Sequence, residues 1–229
     1  MTPYYSNSYK HFIAVDCIIF GFDEGELKIL LHKRNFEPEK GKWSLIGGFL
    51  DNNESIDIAA RRILQEYSGL SNLFMEQLYT FGEIDRDPGE RVISVTFFAL
   101  IRIEDYNKEL IHTTSAQWWP ISHKPMLIFD HEVMVSKALE RLKIRTKNRP
   151  VGFELLPRKF TVPQLQSLYE AIYQRSLDKR NFRKKILSMN LLQKLDEKDK
   201  GTSKKGAYLY QFDKRKYMKF IEKGFLFEL

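Results

Sequence analysis

The chain of 229 residues is 43% hydrophobic and 14% aromatic, with 29% charged residues, a balance of soluble globular proteins that excludes disorder as its main state. The single cysteine, Cys17, excludes an intramolecular disulfide and a thiolate-rich zinc site. Residues 151–229 carry 18 Lys+Arg against 9 Asp+Glu, whereas 19 basic residues face 21 acidic ones before position 151, so the net charge of +7 belongs to the C-terminal third. That asymmetry predicts an acidic-to-neutral module joined to one that meets a polyanion, nucleic acid being the usual case. Residues 1–12 lack the basic and apolar regions of a secretory signal, and Asp16 interrupts the longest apolar run, far short of the roughly 20 residues that span a bilayer. A reducing cytoplasm and no membrane partner are the expectations.

Residues 13–22 and 27–34 are β-rich runs joined by the turn signal Asp23-Glu24-Gly25, which reads as a hairpin. A third run, 43–50, ends in Gly47-Gly48 and leads through Asp51-Asn52-Asn53 into a helix over 55–68. There Ile56, Ala59, Ala60, Ile63, Leu64 and Tyr67 recur at spacings of three and four. Asn53 is the expected N-cap and Gly69 the expected C′ residue. Strands over 78–83 and 92–101 flank the turn Asp87-Pro88-Gly89, and a helix is predicted over 131–142. Trp118 and Trp119 read as packing aromatics, with stacking on a sugar ring as the alternative.

The basic, proline-containing stretch 143–150 punctuates the chain, which predicts a domain over 1–148 and another over 149–229. In the second, Thr161-Val162-Pro163-Gln164 has the form of a capping box opening a helix with Leu165, Leu168, Tyr169, Ile172 and Tyr173 on one face. Asp178 is the candidate cap of a second helix over 179–189, which buries Phe182 and Ile186. Apolar runs at 191–195 and 207–212 around a polar tract then make a wing. The expected fold class is α+β, a mixed sheet with flanking helices followed by a winged helix-turn-helix.

Between positions 175 and 205 eleven basic residues stand against four acidic ones. Arg180, Arg183 and Lys184, with Lys179 and Asn181, face away from Phe182 and Ile186, as a recognition helix in a major groove requires. Thr202, Ser203, Lys204 and Lys205 in the wing are expected to touch phosphates. The alternative is a solvated helix in a protein-binding winged domain. A homodimer on double-stranded operator DNA is the expected assembly, because such readers usually match palindromic sites by two-fold symmetry.

The most specific pattern is Gly48, Glu54, Arg62, Leu64, Glu66, Gly69 and Leu70 in their spacing, with the approach Trp43-Ser44-Leu45-Ile46-Gly47-Gly48-Phe49. It resembles the Nudix box. In the Nudix hydrolases that loop, helix and loop carry a glutamate cluster that binds divalent metals for attack on a diphosphate. Where the family's box reads Arg-Glu-apolar-any-Glu-Glu, this chain has Arg62-Ile63-Leu64-Gln65-Glu66-Tyr67, so two of three clustered glutamates are absent. One carboxylate, even helped by Glu54, hardly neutralises a Mg²⁺ ion. The expectation is therefore a non-catalytic domain with no metal and no cofactor; a residual hydrolase using Glu83 or Asp85 is the rival.

Phe81-Gly82-Glu83-Ile84-Asp85-Arg86-Asp87-Pro88 and Leu127-Ile128-Phe129-Asp130-His131 are similar to segments of ADP-ribose pyrophosphatases and of Nudix-related transcriptional regulators. The latter join a degenerate Nudix domain to a winged helix, and their branches sense ADP-ribose or L-arabinose. The resemblance implies an effector-responsive regulator, a repressor of carbohydrate utilisation in the first reading. Loss of the metal-binding carboxylates favours a neutral pentose such as L-arabinose as effector, with ADP-ribose and NAD metabolism as the alternative. Candidate ligand contacts are Lys33, Arg34, Gly48, Glu66, Glu83, Asp85, Arg86, Asp87 and His131. For Asp85, Arg86 and Asp87 a hairpin turn is the competing reading, and for Lys33 and Arg34 a solvated rim. His131 reads as a helix-start hydrogen-bonding residue rather than a metal ligand.

Overall fold

In the computed structural model, which describes residues 8–69, 73–106, 115–201, 206–224 and 227, the expected hairpin is β1 (Phe12–Asp23) with β2 (Glu26–Lys33). β1 organises the sheet. One edge pairs in parallel with β6 (Val92–Leu100), which in turn pairs antiparallel with β5 (Phe74–Phe81). Its other edge is shared: Ala14 to Cys17 pair with β4 (Ile46–Phe49), and Ile19 to Asp23 pair with β2. The strands beside β1 therefore separate midway along it, between Cys17 and Ile19. β3 (Trp43–Ser44) and β7 (Ala116–Pro120) both pair with β2. β7, which contains Trp118 and Trp119, was not expected as a strand.

Strand alternation sends β1 side chains to both faces, and both are buried. Val15, Cys17 and Ile19 pack with Ala59, Ala60, Ile63 and Leu64 of α1 (Ile56–Ser68). Ile18 and Phe20 pack with Met134, Val135, Ala138 and Leu142 of α2 (His131–Asn148). The N-cap of α1 is Ser55, not Asn53: its hydroxyl accepts from Ile58 N, and the helix stops at Gly69 with φ 71°. α2 runs six residues past the expected end, because Leu142 and Thr146 are buried and continue its apolar stripe through the basic stretch.

A 3₁₀ turn, Pro150–Leu155, then leads into β8 (Phe160–Thr161) and α3 (Val162–Tyr173). Thr161 and Gln164 form the expected capping box. Asp178 caps α4 (Lys179–Ser188) by accepting from Asn181 N at 2.8 Å. β9 (Leu192–Asp199), longer than expected, and β10 (Ala207–Phe212) make a three-stranded sheet with β8. An unexpected helix, α5 (Lys214–Glu222), follows. Leu165, Leu168, Tyr169, Ile172, Phe182 and Ile186 share one cluster with the α2 face of the Nudix-like sheet. Each such buried side chain contributes roughly 1.5–3 kcal/mol. No helix among the described residues is long and apolar enough to cross a membrane.

Candidate functional site

Where β2 and β4 part beside β1, the sheet opens into a cavity of about 390 Å³ lined by Ala14, Asp16, His32, Arg34, Gly47, Gly48, Arg86, Asp87, Phe129 and His131, with Phe12, Phe36 and Phe49 among its aromatic walls. Close backbone approach sets its floor. A Cβ on Gly47 would stand 2.2 Å from the Asp16 carboxylate, and one on Gly48 would meet Ile63 at 3.3 Å.

The box helix packs Ile63 behind Gly48 without lining this cavity or supplying a metal site. Ile63, 1% exposed, is core. Tyr67 packs edge-on against His32 at 5.4 Å, and burial raises its phenol above the usual range. Arg62 donates to both Glu54 oxygens, at 2.6 and 3.1 Å, and to the Phe49 carbonyl, and also pairs with Glu66 at 3.4 Å. The hydrogen bonds from Arg62 lower the Glu54 carboxyl, and those to Glu54 raise the guanidinium. With Glu54 committed and two glutamates replaced, these residues do not fit a divalent ion. Among the described residues no group of three or more His, Cys, Asp and Glu is placed to hold a metal.

Two arginines supply the positive charge instead. Arg34 donates from Nε to the Pro38 carbonyl at 2.8 Å and lies 4.1 Å from the Phe36 ring and 5.7 Å from the Phe129 ring. Burial lowers its pKa, an effect opposed by Asp87 and Asp16, and an arginine stays charged regardless. Arg86, with 3% of its side chain exposed, holds Asp130 through two 2.9 Å hydrogen bonds and stands 3.9 Å from Asp16. Asp16 in turn accepts from the Ser94 hydroxyl at 2.6 Å.

The histidines are kept neutral. Burial, then Arg34 and His131, push His32 down to about 4. Burial likewise lowers His131, whose Nδ1 accepts from Leu45 N at 3.1 Å. The proton of neutral His131 then sits on Nε2.

Of the residues singled out from sequence, Arg34, Gly48, Arg86, Asp87 and His131 come together at the cavity. Lys33, Glu66, Glu83 and Asp85 do not: all four are exposed and outside its lining. Lys33 and Arg34 are neighbours along one strand end, where consecutive side chains alternate in direction. Glu66 turns outward to Arg62, and Glu83 serves the fold by its carbonyl, which accepts from Arg91 at 2.7 Å. Asp16, His32, Phe36 and Phe129 are cavity residues that sequence reasoning passed over. Asp16 did carry a signal, a charge inside an otherwise apolar buried strand.

In the C-terminal region Lys179, Arg180, Asn181, Arg183 and Lys184 are all exposed on α4, while Phe182 and Ile186 anchor its opposite face. Among the described residues Arg180, Arg183 and Lys184 make no ion pair. In the wing, Lys194 and Lys198 lie over the Tyr208 ring at 3.6 and 4.6 Å. Thr202, Ser203, Lys204 and Lys205 lie outside the described residues.

Residues 10–134 match the NUDIX domain family, and residues 152–212 match the NrtR DNA-binding winged helix domain. The chain is 32% identical over 209 residues, 90% of its length and 83% of the relative's, to the ADPR responsive transcriptional repressor NtrR of Acinetobacter baylyi. It is 35% identical over 123 residues, 54% of its length and 70% of the relative's, to the ADP-ribose pyrophosphatase of Methanocaldococcus jannaschii. It superposes on Shewanella oneidensis NrtR complexed with a 27mer DNA with a TM-score of 0.79 and 28% identity, covering 87% of this chain and 93% of that one. For the NUDIX domain of that protein complexed with ADP ribose the TM-score is 0.51 and the identity 32%, covering 58% and 90%.

A Nudix domain carrying a winged helix whose basic face is left open defines a Nudix-related transcriptional regulator. Similarity to NrtR proteins extends over both domains. The chain belongs to the NrtR family of such regulators.

Proposed function

We propose that this protein is a DNA-binding repressor whose Nudix domain binds ADP-ribose without hydrolysing it, and that the bound ligand releases operator DNA. The observation that carries the reading is the cavity's replacement of a metal cluster by Arg34 and Arg86, with phenylalanine rings beside them. Guanidinium forks bind phosphate oxygens directly, rings offer stacking to a base, and Asp16 and Asp87 offer acceptors to ribose hydroxyls.

This reading takes the alternative effector in place of L-arabinose, which none of the similar proteins supports. Loss of the glutamates argued for a neutral sugar only while no other cation was in view; the two arginines are that cation, and a cavity of about 390 Å³ exceeds what a lone pentose fills. The Acinetobacter relative is described as ADPR responsive, and the Shewanella Nudix domain was solved with ADP ribose, which supports the same effector here.

Two copies of α4 in a homodimer read adjacent major grooves, and the wings hold phosphates. Residues 1–148 act as the sensor and 149–229 as the reader, with α2 as the last helix of the sensor. Calorimetry with ADP-ribose and with L-arabinose in Mg²⁺ buffer, followed by chromatography for AMP, tests the reading. Saturable binding of ADP-ribose alone, with the nucleotide recovered intact, is expected. Turnover at ordinary enzyme rates, of order 1 per second or faster, defeats the sensor reading.

A further inference from the structure

Three observations meet between the cavity and α2. Phe129, which lines the cavity and stands 5.7 Å from the Arg34 guanidinium, has φ 50°, a left-handed conformation strained for a bulky residue. Asp130, next along, is at the N-cap position of α2 yet makes no capping hydrogen bond and has ψ 14°. Ser55, Thr161 and Asp178, which do cap α1, α3 and α4 with their side chains, have ψ of 161°, 155° and 119°. The Asp130 carboxylate is held away from its helix by Arg86, through two hydrogen bonds of 2.9 Å each, and Arg86 itself lines the cavity.

We propose that Arg86 and Asp130 form a ligand-operated latch on α2. An anionic group entering the cavity takes the Arg86 fork; Asp130, released, moves to extended backbone and caps the first turn of α2. The inference rests on the reading of the ligand as ADP-ribose, whose diphosphate is the anion. Each partner exchanges one favourable contact for another. Arg86 trades a carboxylate for phosphate oxygens of matching geometry, and Asp130 trades a guanidinium for N–H groups at the positive end of a helix. Relief of the left-handed Phe129 adds to the bias, and a change of ψ from 14° to the extended region is a discrete step, which makes the latch two-state.

α2 carries the step to the reader. It is a single helix of 18 residues, about 27 Å long. Its start holds His131 against Leu45 at the cavity, while Lys143 near its end donates to Gln174, the C-cap of α3, at 3.3 Å. Its buried face shares the cluster containing Leu165, Leu168 and Ile172. Turning the start of α2 therefore displaces α3, and with it the recognition helix that α3 supports.

The full-length variant Asp130→Ser keeps a good capping residue and removes the ion pair, so it sets the latch open without ligand. DNA affinity is read by fluorescence anisotropy on a duplex selected from a random pool by the wild-type protein, and ADP-ribose affinity by calorimetry. In the wild type ADP-ribose weakens DNA binding by about 5- to 150-fold, the usual span of such coupling. In Asp130→Ser, unliganded DNA affinity falls to within about threefold of the liganded wild type, ADP-ribose changes it less than about twofold, and by reciprocity ADP-ribose binds correspondingly tighter.

A variant that keeps the wild-type response, or that loses affinity for both partners as a merely structural role would have it, overturns the latch. If Asp130→Ser fails to fold, the isosteric Asp130→Asn carries the same readings, since asparagine also caps well. A wild type that ignores ADP-ribose removes the functional reading and the latch with it, and that result is seen before any variant is made.

Discussion

α1 and α4 begin in the same way, each capped by a side chain and each anchoring one apolar face, yet they dispose of their charges in opposite ways. In α1 the guanidinium of Arg62 is consumed by Glu54, Glu66 and the Phe49 carbonyl, and the position beside it, Ile63, faces the core. In α4 the arginines face solvent without an internal partner among the described residues. On these two helices the internally satisfied charge holds the fold together, and the open charge is available to an outside polyanion. The helix that looks catalytic by its pattern has its charges tied up within the fold, and the plain basic helix is the one proposed to meet the DNA.

The strongest attack on that contrast is to restore the lost carboxylates of α1. Ile63→Glu places an ionisable group in a closed core, and a loss of about 3 kcal/mol or more in urea unfolding is expected, with or without Tyr67→Glu. A stable double variant that hydrolyses ADP-ribose would return α1 to the catalytic class.

Titration sharpens the contrast next. Burial holds His32 at about 4 against an ordinary value of 6.5, and lowers His131 as well, so between those values the unfolded chain binds more protons than the folded one. Stability present above pH 6.5 is thus lost as the pH falls towards 4, by about 3 kcal/mol for His32 alone. Urea midpoints at pH 7 and pH 4.5 check this; equal midpoints would mean that the cavity histidines are solvated.

On α4 the expected effects are on binding rather than stability. Arg180→Ala and Arg183→Ala are each expected to weaken the specific site by about 1–3 kcal/mol and to relax preference at one base position, with unfolding unchanged. Equal losses on all sequences would reduce these arginines to phosphate contacts. The smallest effect is that of the wing: Lys204→Ala and Lys205→Ala are each expected to reduce the slope of log affinity against log salt by about 0.9, on specific and random DNA alike. A slope unchanged in the double variant would take the wing off the DNA.

Much of the fold was legible because local rules and tertiary burial agree. The Thr161–Gln164 capping box, Asp178 and Gly69 mark helix ends that the structure reproduces. β7 was missed because its tryptophans were read as packing residues without the pairing to β2 that makes them a strand. α5 was missed because its apolar Tyr217 and Phe220 are spread among lysines and are only partly buried. Within the cavity, Arg86, Asp87 and His131 stand in recognisable motifs, and Arg34 ends a β-rich run. Their electrostatic pairings are not legible there: the Arg86–Asp130 pair joins two motifs 44 residues apart, and Asp16 reaches Ser94 across 78. The first reading of the effector turned on the box helix alone, since what that helix lost is visible in its own sequence and what Arg34 and Arg86 supply depends on how distant strands meet.

The central claim, that this Nudix domain senses its ligand instead of consuming it, is tested by one time course. The protein, a labelled duplex that it selects, Mg²⁺ and ADP-ribose are mixed, and anisotropy and AMP are followed together. The account predicts that anisotropy falls on addition of the nucleotide and stays low for hours while no AMP forms. Recovery of the DNA complex in step with accumulating AMP would contradict it.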